Sequence, residues 1–336
     1  MFKGKSTAFA VGTLLLIFSI SFFGCDSGLS GSDSSKSNSS SRALTAGYPS
    51  DFTAPADPVQ KGSLRGFGGD ASKSRADHQA VVAASGKNPV IVLHGNGGSA
   101  TSTEWGPIDL VPWLIEAGYS KELIWAPSYL GYEGTDSNHG MAYADFPHIN
   151  SNNTQDIVAY VDAVLAYTGA SKVDIIGHSS GGTLAFLYLL GYENTHDNKT
   201  AGSAYNFTPT CYPDNTHKFD MSNNNIDKVG TIVTIAADHY GFSASLQAKC
   251  DFDQNGAHIR GKQSFWQANY KEFIDNVTIV AITADGDWVD INGSTRGPGG
   301  HTSALEYAEN KVFPMPSNLP SHYTGSSSSS DIAWHK

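Results

Sequence analysis

Residues 173–186 read VDIIGHSSGGTLAF, and this stretch indicates the fold. An apolar run is followed by GHSSG at 177–181, which fits the pattern G-x-S-x-G, and then by a second apolar segment. A strand, a sharp turn and a helix in this order are typical of the nucleophile elbow, in which a strained turn exposes a serine hydroxyl above a sheet. Such a turn needs small flanking residues, and glycines supply them. We therefore predict that Ser179 is a nucleophile rather than an ordinary turn serine.

Other apolar runs alternate with segments of helical periodicity. The predicted strands read KNPVIVLHG, ELIWAPSYL, KVDIIGHS, VGTIVTIAA and VTIVAITA, and the predicted helices read PIDLVPWLIEAGY, TQDIVAYVDAVLAYTGA and SGGTLAFLYLLGY. Strands that are apolar on both faces and separated by helices indicate a parallel sheet covered on both sides. The predicted fold class is α/β, with a mostly parallel central sheet and helices on both of its faces.

The formal net charge of the 336-residue chain is −11, and no run of Lys or Arg occurs in it. Binding to phosphate backbones needs clustered basic side chains, so nucleic acid is excluded as a partner. The length suits one large domain, which we place at 61–315, with 193–228 as a cap or loop insertion. The Ser-rich segment 316–336 is predicted to be a low-complexity tail.

The first 25 residues have the layout of a secretory signal: two lysines, an apolar stretch, and a small residue before Cys25. This ending resembles the lipobox of bacterial lipoproteins, with Phe22 where that motif usually has Leu. We predict lipidation of Cys25, followed by a flexible tether at 26–60, and a cell-surface or periplasmic lipoprotein. The alternatives are plain cleavage with secretion, or an uncleaved anchor.

A serine nucleophile needs a base and an acid, which follow it in the chain in this fold. Asp287 comes just after the strand VTIVAITA and is the predicted acid, with Asp285 as the near rival and Asp238 as a third choice. His301 lies in GPGGHTSALEYAEN, read as a glycine loop that leads into a helix, and is the predicted base. His178, next to the nucleophile, is predicted to be structural.

The oxyanion hole of such a site needs two backbone N–H donors. The residue after the nucleophile, Ser180, supplies one, and the loop after an early strand supplies the other. The sequence HGNGG at 94–98 follows the strand VIVL, so Asn96 is the predicted second donor. A phosphate-binding role for this loop is excluded, because neither a P-loop nor a strong G-x-G-x-x-G pattern is present.

These motifs together resemble the class 2 lipases of the α/β-hydrolase superfamily. VIVLHGNGGS, YTGASKVDIIGHSSGG, the Asp287 turn, GGHT and the GFGG at 66–69 look in particular like lipase-like extracellular polyhydroxybutyrate depolymerases. Over about 62–312 the resemblance implies an α/β-hydrolase fold, the triad and the oxyanion donors assigned above. The elbow begins with Gly177, as in ordinary lipases, whereas those depolymerases begin it with Ala. The chemistry therefore carries over more fully than the substrate.

Three further patterns bear on partners. Cys211 and Cys250 remain if Cys25 carries lipid, and in an exported protein they predict one disulfide, with two unpaired thiols as the alternative. The residues after Cys250, DFDQNG, have the start of a calcium loop, but Lys262 stands where its Glu should be. A polar turn is therefore preferred, calcium binding stays the alternative, and no other metal or cofactor is predicted. Five tyrosines could form an apolar docking surface or pack in the core: Tyr129, Tyr132, Tyr205, Tyr212 and Tyr240.

The leading hypothesis is an exported serine hydrolase that cleaves carboxylic esters through an acyl-enzyme. Its substrate would be an acylglycerol, a soluble ester or an aliphatic polyester, and it would meet the membrane only through the N-terminal lipid. An inactive surface-binding lipoprotein with the same fold is the alternative from another class. Acyl transfer or amide hydrolysis on the same triad also stays open, because the motif fixes the nucleophile and not the leaving group. The oligomeric state does not follow from the sequence.

Overall fold

A central sheet of seven strands organises the protein in the computed structural model. The structure describes residues 47–57, 62–95, 98–101, 107–129, 150–191, 193–194, 217–237, 239–240, 257–284, 297–301 and 303–313. The strands of the sheet are β1 Arg65–Gly68, β2 Val90–Leu93, β3 Ile124–Ser128, β4 Val173–His178, β5 Val229–Ile235, β6 Thr278–Ala284 and β7 Glu309–Phe313. Their order across the sheet is β7-β6-β5-β4-β2-β3-β1.

All neighbouring strands of this sheet run parallel except β1, which pairs antiparallel with β3 at one edge. The carboxyl ends of the parallel strands therefore meet along one edge of the sheet, and this is the edge where α/β folds collect their sites. With its helices and this strand order, the structure has the α/β-hydrolase fold that the sequence predicted.

Five α-helices flank the sheet in the described part of the chain. They are α1 Arg75–Ser85, α2 Pro107–Glu116, α3 Asn150–Thr168, α4 Ser180–Leu189 and α5 Ala257–Asn276. The apolar stripe predicted for α3 is buried as expected at Ile157, Tyr160, Val161 and Val164. The described 3-10 turns are Lys121–Leu123, Met221–Asn223, Ile226–Lys228 and Pro298–Gly300. None of the helices that the structure describes is long and apolar enough to cross a membrane.

The core has two layers because successive side chains on a strand point to opposite faces. Ile91 and Leu93 of β2 contribute to one cluster, which packs against α3, α4 and α5. Val90 and Val92 of the same strand contribute to the other, which packs against α2. Strands that are apolar at every position are therefore buried on both faces, as their continuous apolar sequence predicted.

The folded part begins earlier than the predicted tether boundary at residue 60. Gly47 forms a bridge with Phe67 of β1, and Tyr48 and Phe52 pack against the core. The ring of Phe52 lies 5.0 Å from that of Trp125, measured between centroids. An arm at 47–57 therefore belongs to the domain, because its aromatic side chains bury apolar surface that a Ser-rich tether lacks. The arm ends in a short pairing of Ala56–Asp57 with Gly62–Ser63.

The helix predicted after His301 is absent from the described residues 303–313. Turns lead instead to β7, and Tyr307 adopts a left-handed backbone with φ of 63° that a helix does not accept. In the predicted cap, Glu193–Asn194 pairs with His217–Lys218, and residues 195–216 lie outside the described part. Whether this insertion acts as a cap stays a prediction.

Candidate active site

Ser179 lies in the sharp turn between β4 and α4, as the sequence predicted. Its backbone has φ of 53° and ψ of −125°, a combination that residues with a side chain rarely adopt. Such strain costs about 1–3 kcal/mol and persists only where the surrounding structure holds it, often at functional sites. The turn places Ser179 half-buried at the carboxyl edge of the sheet.

Three glycines make room for this turn. A Cβ on Gly177 would lie 2.3 Å from the carbonyl oxygen of Gly181, and one on Gly181 would lie 2.5 Å from that of His94. A Cβ on Gly182 would lie 2.8 Å from the Cβ of Ala237. These contacts are shorter than real Cβ atoms show, so the elbow packs directly on its own backbone, on the backbone at the end of β2 and on the side chains of Thr234 and Ala237 at the end of β5.

Backbone hydrogen bonds hold the turn to the neighbouring strand β5. The N–H of Ser179 donates to the carbonyl oxygen of Ile235 at 2.8 Å, and the N–H of Gly182 donates to that of Ser179 at 2.9 Å. Ala236, which follows Ile235 at the end of β5, also has a left-handed backbone with φ of 47°. Its N–H donates to the carbonyl oxygen of Ile282 in β6 at 2.8 Å. The carboxyl ends of three strands are thus fixed around Ser179.

Ser180 and the glycine loop that carries Asn96 were predicted to supply the two oxyanion donors. Ser180 is the first residue of α4, and the first N–H groups of a helix have no acceptor within the helix, so they favour negative charge. A Cβ on Gly95 would lie 3.1 Å from the Cβ of Ser179, so the glycine loop after β2 lies against the predicted nucleophile. Asn96 itself lies outside the described residues.

His94 is buried beneath this glycine loop. Its Nδ1 donates to the carbonyl oxygen of Gly95 at 2.8 Å, and its ring stacks on Tyr129 with centroids 3.8 Å apart. The phenol of Tyr129 donates to the carbonyl oxygen of His94. Burial lowers the pKa of His94 to about 4, so the ring is neutral at physiological pH and serves as packing and as a hydrogen-bond donor.

The His301 loop is held by contacts to the same edge of the sheet. The N–H of Gly297 donates to the carbonyl oxygen of His301 at 3.1 Å, and a Cβ on Gly297 would lie 2.6 Å from Cε2 of Tyr240. Tyr240 follows β5, whose last residue, Ile235, holds the N–H of Ser179. Tyr240 is buried, and burial raises the pKa of its phenol to about 12. The loop that carries the predicted base therefore packs on the segment that leaves the elbow's neighbouring strand.

A side-chain amide secures the far end of this loop. Asn310 accepts from the N–H of Leu305 at 2.8 Å and donates to the carbonyl oxygens of Leu305 at 2.9 Å and Ala308 at 3.1 Å. The indole N–H of Trp266 in α5 donates to the carbonyl oxygen of Glu306 at 2.9 Å. These bonds join the loop to β7 and α5, so the turns after His301 have a fixed path.

Several predicted residues lie outside the described part of the chain. They are Asp287 and its rivals Asp285 and Asp238, the cysteines Cys25, Cys211 and Cys250, and the start of the calcium-like loop at 251–256. Strand β6, which precedes Asp285, ends at Ala284 on the same edge of the sheet as Ser179. Among the described residues, no group of three or more His, Cys, Asp or Glu could hold a metal ion.

Two of the five tyrosines considered for a docking surface are core residues. Tyr129 and Tyr240 have 1% and 9% of their surface exposed, so core packing is confirmed for both. Tyr132, Tyr205 and Tyr212 lie outside the described residues. The roles of Tyr129 and Asn310 in holding the site's loops were not predicted. The only sequence signal for Tyr129 is its place directly after β3, at the edge where such sites form.

Known proteins share sequence and structural features with this chain. The sequence profile of the family described as Lipase (class 2) matches residues 87–208, which include the glycine loop and the elbow. The mature lipase BlEst2 of Bacillus licheniformis is 15% identical with a TM-score of 0.38, over 68% of this chain and 83% of that one. Lipase B of Aspergillus fumigatus is 12% identical with a TM-score of 0.38, over 79% of this chain and 55% of that one.

A protein of Nitrososphaera gargenis, whose structure was reported with the activity profiles of carboxylesterases, is 14% identical with a TM-score of 0.35, over 68% of this chain and 82% of that one. At these values neither substrates nor site residues carry over from the solved structures. The profile match confirms the resemblance to class 2 lipases over residues 87–208. The chain thus has the α/β-hydrolase fold together with the sequence pattern of lipases, while its likeness to polyester depolymerases stays a prediction.

Proposed function

We propose that this protein is a serine hydrolase of carboxylic esters that works through an acyl-enzyme. The observation that carries the proposal is the backbone of Ser179, strained at the carboxyl edge of the sheet with Gly95 packed against it. A turn that only joined a strand to a helix would not need a serine at φ of 53°. The strain is explained if the hydroxyl must stand free of the backbone to attack a substrate.

In the proposed reaction, Oγ of Ser179 attacks the carbonyl carbon of the ester while His301 takes the hydroxyl proton. The N–H of Ser180 and that of Asn96 hold the negative oxygen that forms. The C–O bond to the alcohol then breaks, and His301 gives its proton to the leaving oxygen. Water repeats the sequence on the acyl-enzyme and frees the acid. Asp287 orients the ring of His301 and stabilises its positive form.

The proposal extends to substrate and location. Aliphatic polyesters, acylglycerols and soluble esters all present the carbonyl that this chemistry needs, and polymers and lipid droplets cannot enter a cell. Export with lipidation of Cys25 would place the enzyme where such substrates are met. Labelling with a radioactive fatty acid tests this part: wild type should carry the label, and Cys25→Ser should not.

The activity is tested on the full chain with a panel of substrates. It comprises p-nitrophenyl esters of short and long acyl chains, emulsified triglyceride and amorphous polyhydroxybutyrate. Ser179→Ala should lower turnover by about a thousandfold or more, and the matched control Ser171→Ala, at an exposed turn, should leave it unchanged. The preferred substrate then decides between lipase, esterase and depolymerase.

A covalent probe distinguishes an enzyme with a narrow substrate range from a protein without activity. A fluorophosphonate reacts with activated serines whatever the natural substrate, and wild type should be labelled at Ser179. Activity that survives in Ser179→Ala would show that another group is the nucleophile. Absence of both labelling and turnover would favour the inactive binding lipoprotein, whereas labelling with turnover of amides or acyl acceptors alone would favour the amidase or acyltransferase.

A further inference from the structure

Two consecutive residues at the end of β3 hold both ends of the glycine loop. This loop runs from His94 to Ala100, and the structure describes all of it except residues 96 and 97. At the first end, the phenol of Tyr129 donates to the carbonyl oxygen of His94. At the second end, the N–H of Ala100 donates to Oγ of Ser128 at 2.9 Å.

The Tyr129 side chain touches the loop twice. Its ring stacks on the imidazole of His94 at 3.8 Å with an angle of 10° between the planes. His94 in turn donates from Nδ1 to the carbonyl oxygen of Gly95 at 2.8 Å, and the N–H of Gly98 donates to the same oxygen at 3.1 Å. The carbonyl group of Gly95 is therefore fixed by two donors, and Tyr129 holds one of them, the ring of His94, in place.

The contact with Tyr129 also reaches the elbow. The carbonyl oxygen of His94 that accepts from Tyr129 is the atom that a Cβ on Gly181 would approach to 2.5 Å. Gly95, the next residue, lies against the Cβ of Ser179. The phenol of Tyr129 thus fixes the backbone segment that touches both sides of the nucleophile turn.

A buried phenol needs a reason, because a phenylalanine ring would fill the same space without a hydroxyl to satisfy. Tyr129 is 1% exposed and Ser128 is fully buried, so neither hydroxyl is held there by water. Donors of an oxyanion hole must be held within a few tenths of an ångström to act. Both hydroxyls hold the loop that lies against Ser179.

We propose that Tyr129 and Ser128 are positioning residues for the oxyanion hole, acting through the glycine loop and not on the substrate. The inference rests on the proposed function, since it assumes that a negative oxygen forms beside Ser179. On this proposal, the two residues at the end of β3 affect the rate of the reaction in addition to packing in the core.

The test uses Tyr129→Phe and Ser128→Ala in the full chain, with Tyr188→Phe as the matched control. The Tyr188 phenol is also buried but has no hydrogen-bond partner among the residues that the structure describes, so its removal should change neither turnover nor folding. For Tyr129→Phe, kcat on a p-nitrophenyl ester should fall by about tenfold to a hundredfold, a part of the loss expected for a whole donor. KM should stay within about twofold, and Ser128→Ala should act in the same direction.

A boronic acid distinguishes positioning from general damage. Boron bonds to the serine oxygen and forms a tetrahedral anion that uses the oxyanion hole, so its inhibition should weaken by the same factor as kcat falls. Thermal unfolding of Tyr129→Phe should remain well above the assay temperature.

Unchanged kcat and boronate affinity in Tyr129→Phe, in an enzyme whose turnover depends on Ser179, would overturn the positioning role alone. A loss of kcat that only matches the unfolded fraction would overturn it as well. If wild type shows no Ser179-dependent turnover, the proposed function fails and this role fails with it.

Discussion

Gly177 and Gly181 pack backbone against backbone across the elbow: a Cβ on Gly177 would lie 2.3 Å from the carbonyl oxygen of Gly181. Gly177→Ala must therefore push strand β4 and helix α4 apart. Overpacking of this kind costs about 1–3 kcal/mol, and here it also moves Ser179. We expect Gly177→Ala to lower both the free energy of unfolding and kcat, as measured by denaturant unfolding and ester hydrolysis.

Gly86→Ala is the control for an added methyl group. Gly86 ends helix α1 in open space with a left-handed backbone, so its substitution should cost about 1 kcal/mol and leave kcat unchanged. Full activity in Gly177→Ala would show that the elbow relaxes without moving Ser179. That result would also make the Ala found at this position in polyester depolymerases compatible with the present fold.

Removal of the N-terminal arm should destabilise the domain. Phe52 packs edge-to-face on Tyr167 with ring centroids 5.3 Å apart, and Asp51 accepts from the phenol of Tyr167 at 2.6 Å. Phe52→Ala should lower the free energy of unfolding by about 2 kcal/mol, since the ring is half-buried. A chain that starts at Lys61 should lose more of its free energy of unfolding than a chain that starts at Gly47. If the two chains unfold at the same temperature, the arm does not stabilise the domain, and the tether would end near residue 60 as predicted from the sequence.

The buried His94 predicts a loss of stability in mild acid. Its pKa is about 4 in the folded protein against 6.5 as the ordinary value, so the unfolded chain takes up the proton first as the pH falls. Stability is therefore full above pH 6.5 and declines toward pH 4, by about 3 kcal/mol from this residue. His94→Gln should show a smaller decline between pH 7 and pH 4 in denaturant unfolding. Parallel pH curves for the two proteins would contradict the burial of a neutral ring.

Asp287 and its nearer rival Asp285 are the two leading candidates for the acid of the proposed triad. Asp287→Asn should lower kcat by about ten-thousandfold, because the ring of His301 would lose the carboxylate that orients it. Asp285→Asn should lower kcat by less than tenfold. The rate of ester hydrolysis by the two variants shows which carboxylate acts as the acid of the triad. A larger loss of kcat in Asp285→Asn than in Asp287→Asn would assign that role to Asp285.

The sequence predicted the strands that lie inside the sheet and missed those at its edges. VIVL and TIVAITA are apolar at each position or nearly so because both faces are covered. RGFG of β1 and ENKVF of β7 carry no such run: β1 is short and half glycine, and every residue of β7 is at least partly exposed. Pairing with β3 and β6, and not local composition, makes these two segments strands.

Helix α1 had a local signal that apolar periodicity does not register. Ser74 caps it, accepting from the N–H of Asp77 while the Asp77 carboxylate accepts from the N–H of Ser74. This capping box, S-x-x-D, is readable in the sequence. The helix predicted after His301 failed for a different reason: the amide of Asn310 holds the backbone of Leu305 in a turn, and such a contact is settled only by the folded chain.

In the candidate site too, features encoded by nearby residues were predictable from the sequence, and contacts between distant residues were not. The elbow and the glycine loop are encoded within about ten residues each, so spacing and glycine content predicted them. The contact between Tyr129 and His94 joins residues 35 positions apart in the chain. A hydroxyl that acts across such a distance leaves no local pattern, and only the register of β2 beside β3 brings it to the loop.

The bond from the N–H of Ser179 to Ile235 has a consequence for synthesis of the protein. A ribosome that has completed the elbow still has to add more than fifty residues before strand β5 exists and can accept that bond. Pairing between strands so distant in the chain is slow to form, because the intervening loop must close first. The strained turn therefore cannot be completed on the nascent chain until β5 has emerged, so a truncated product that stops earlier would carry Ser179 without the backbone geometry of the elbow.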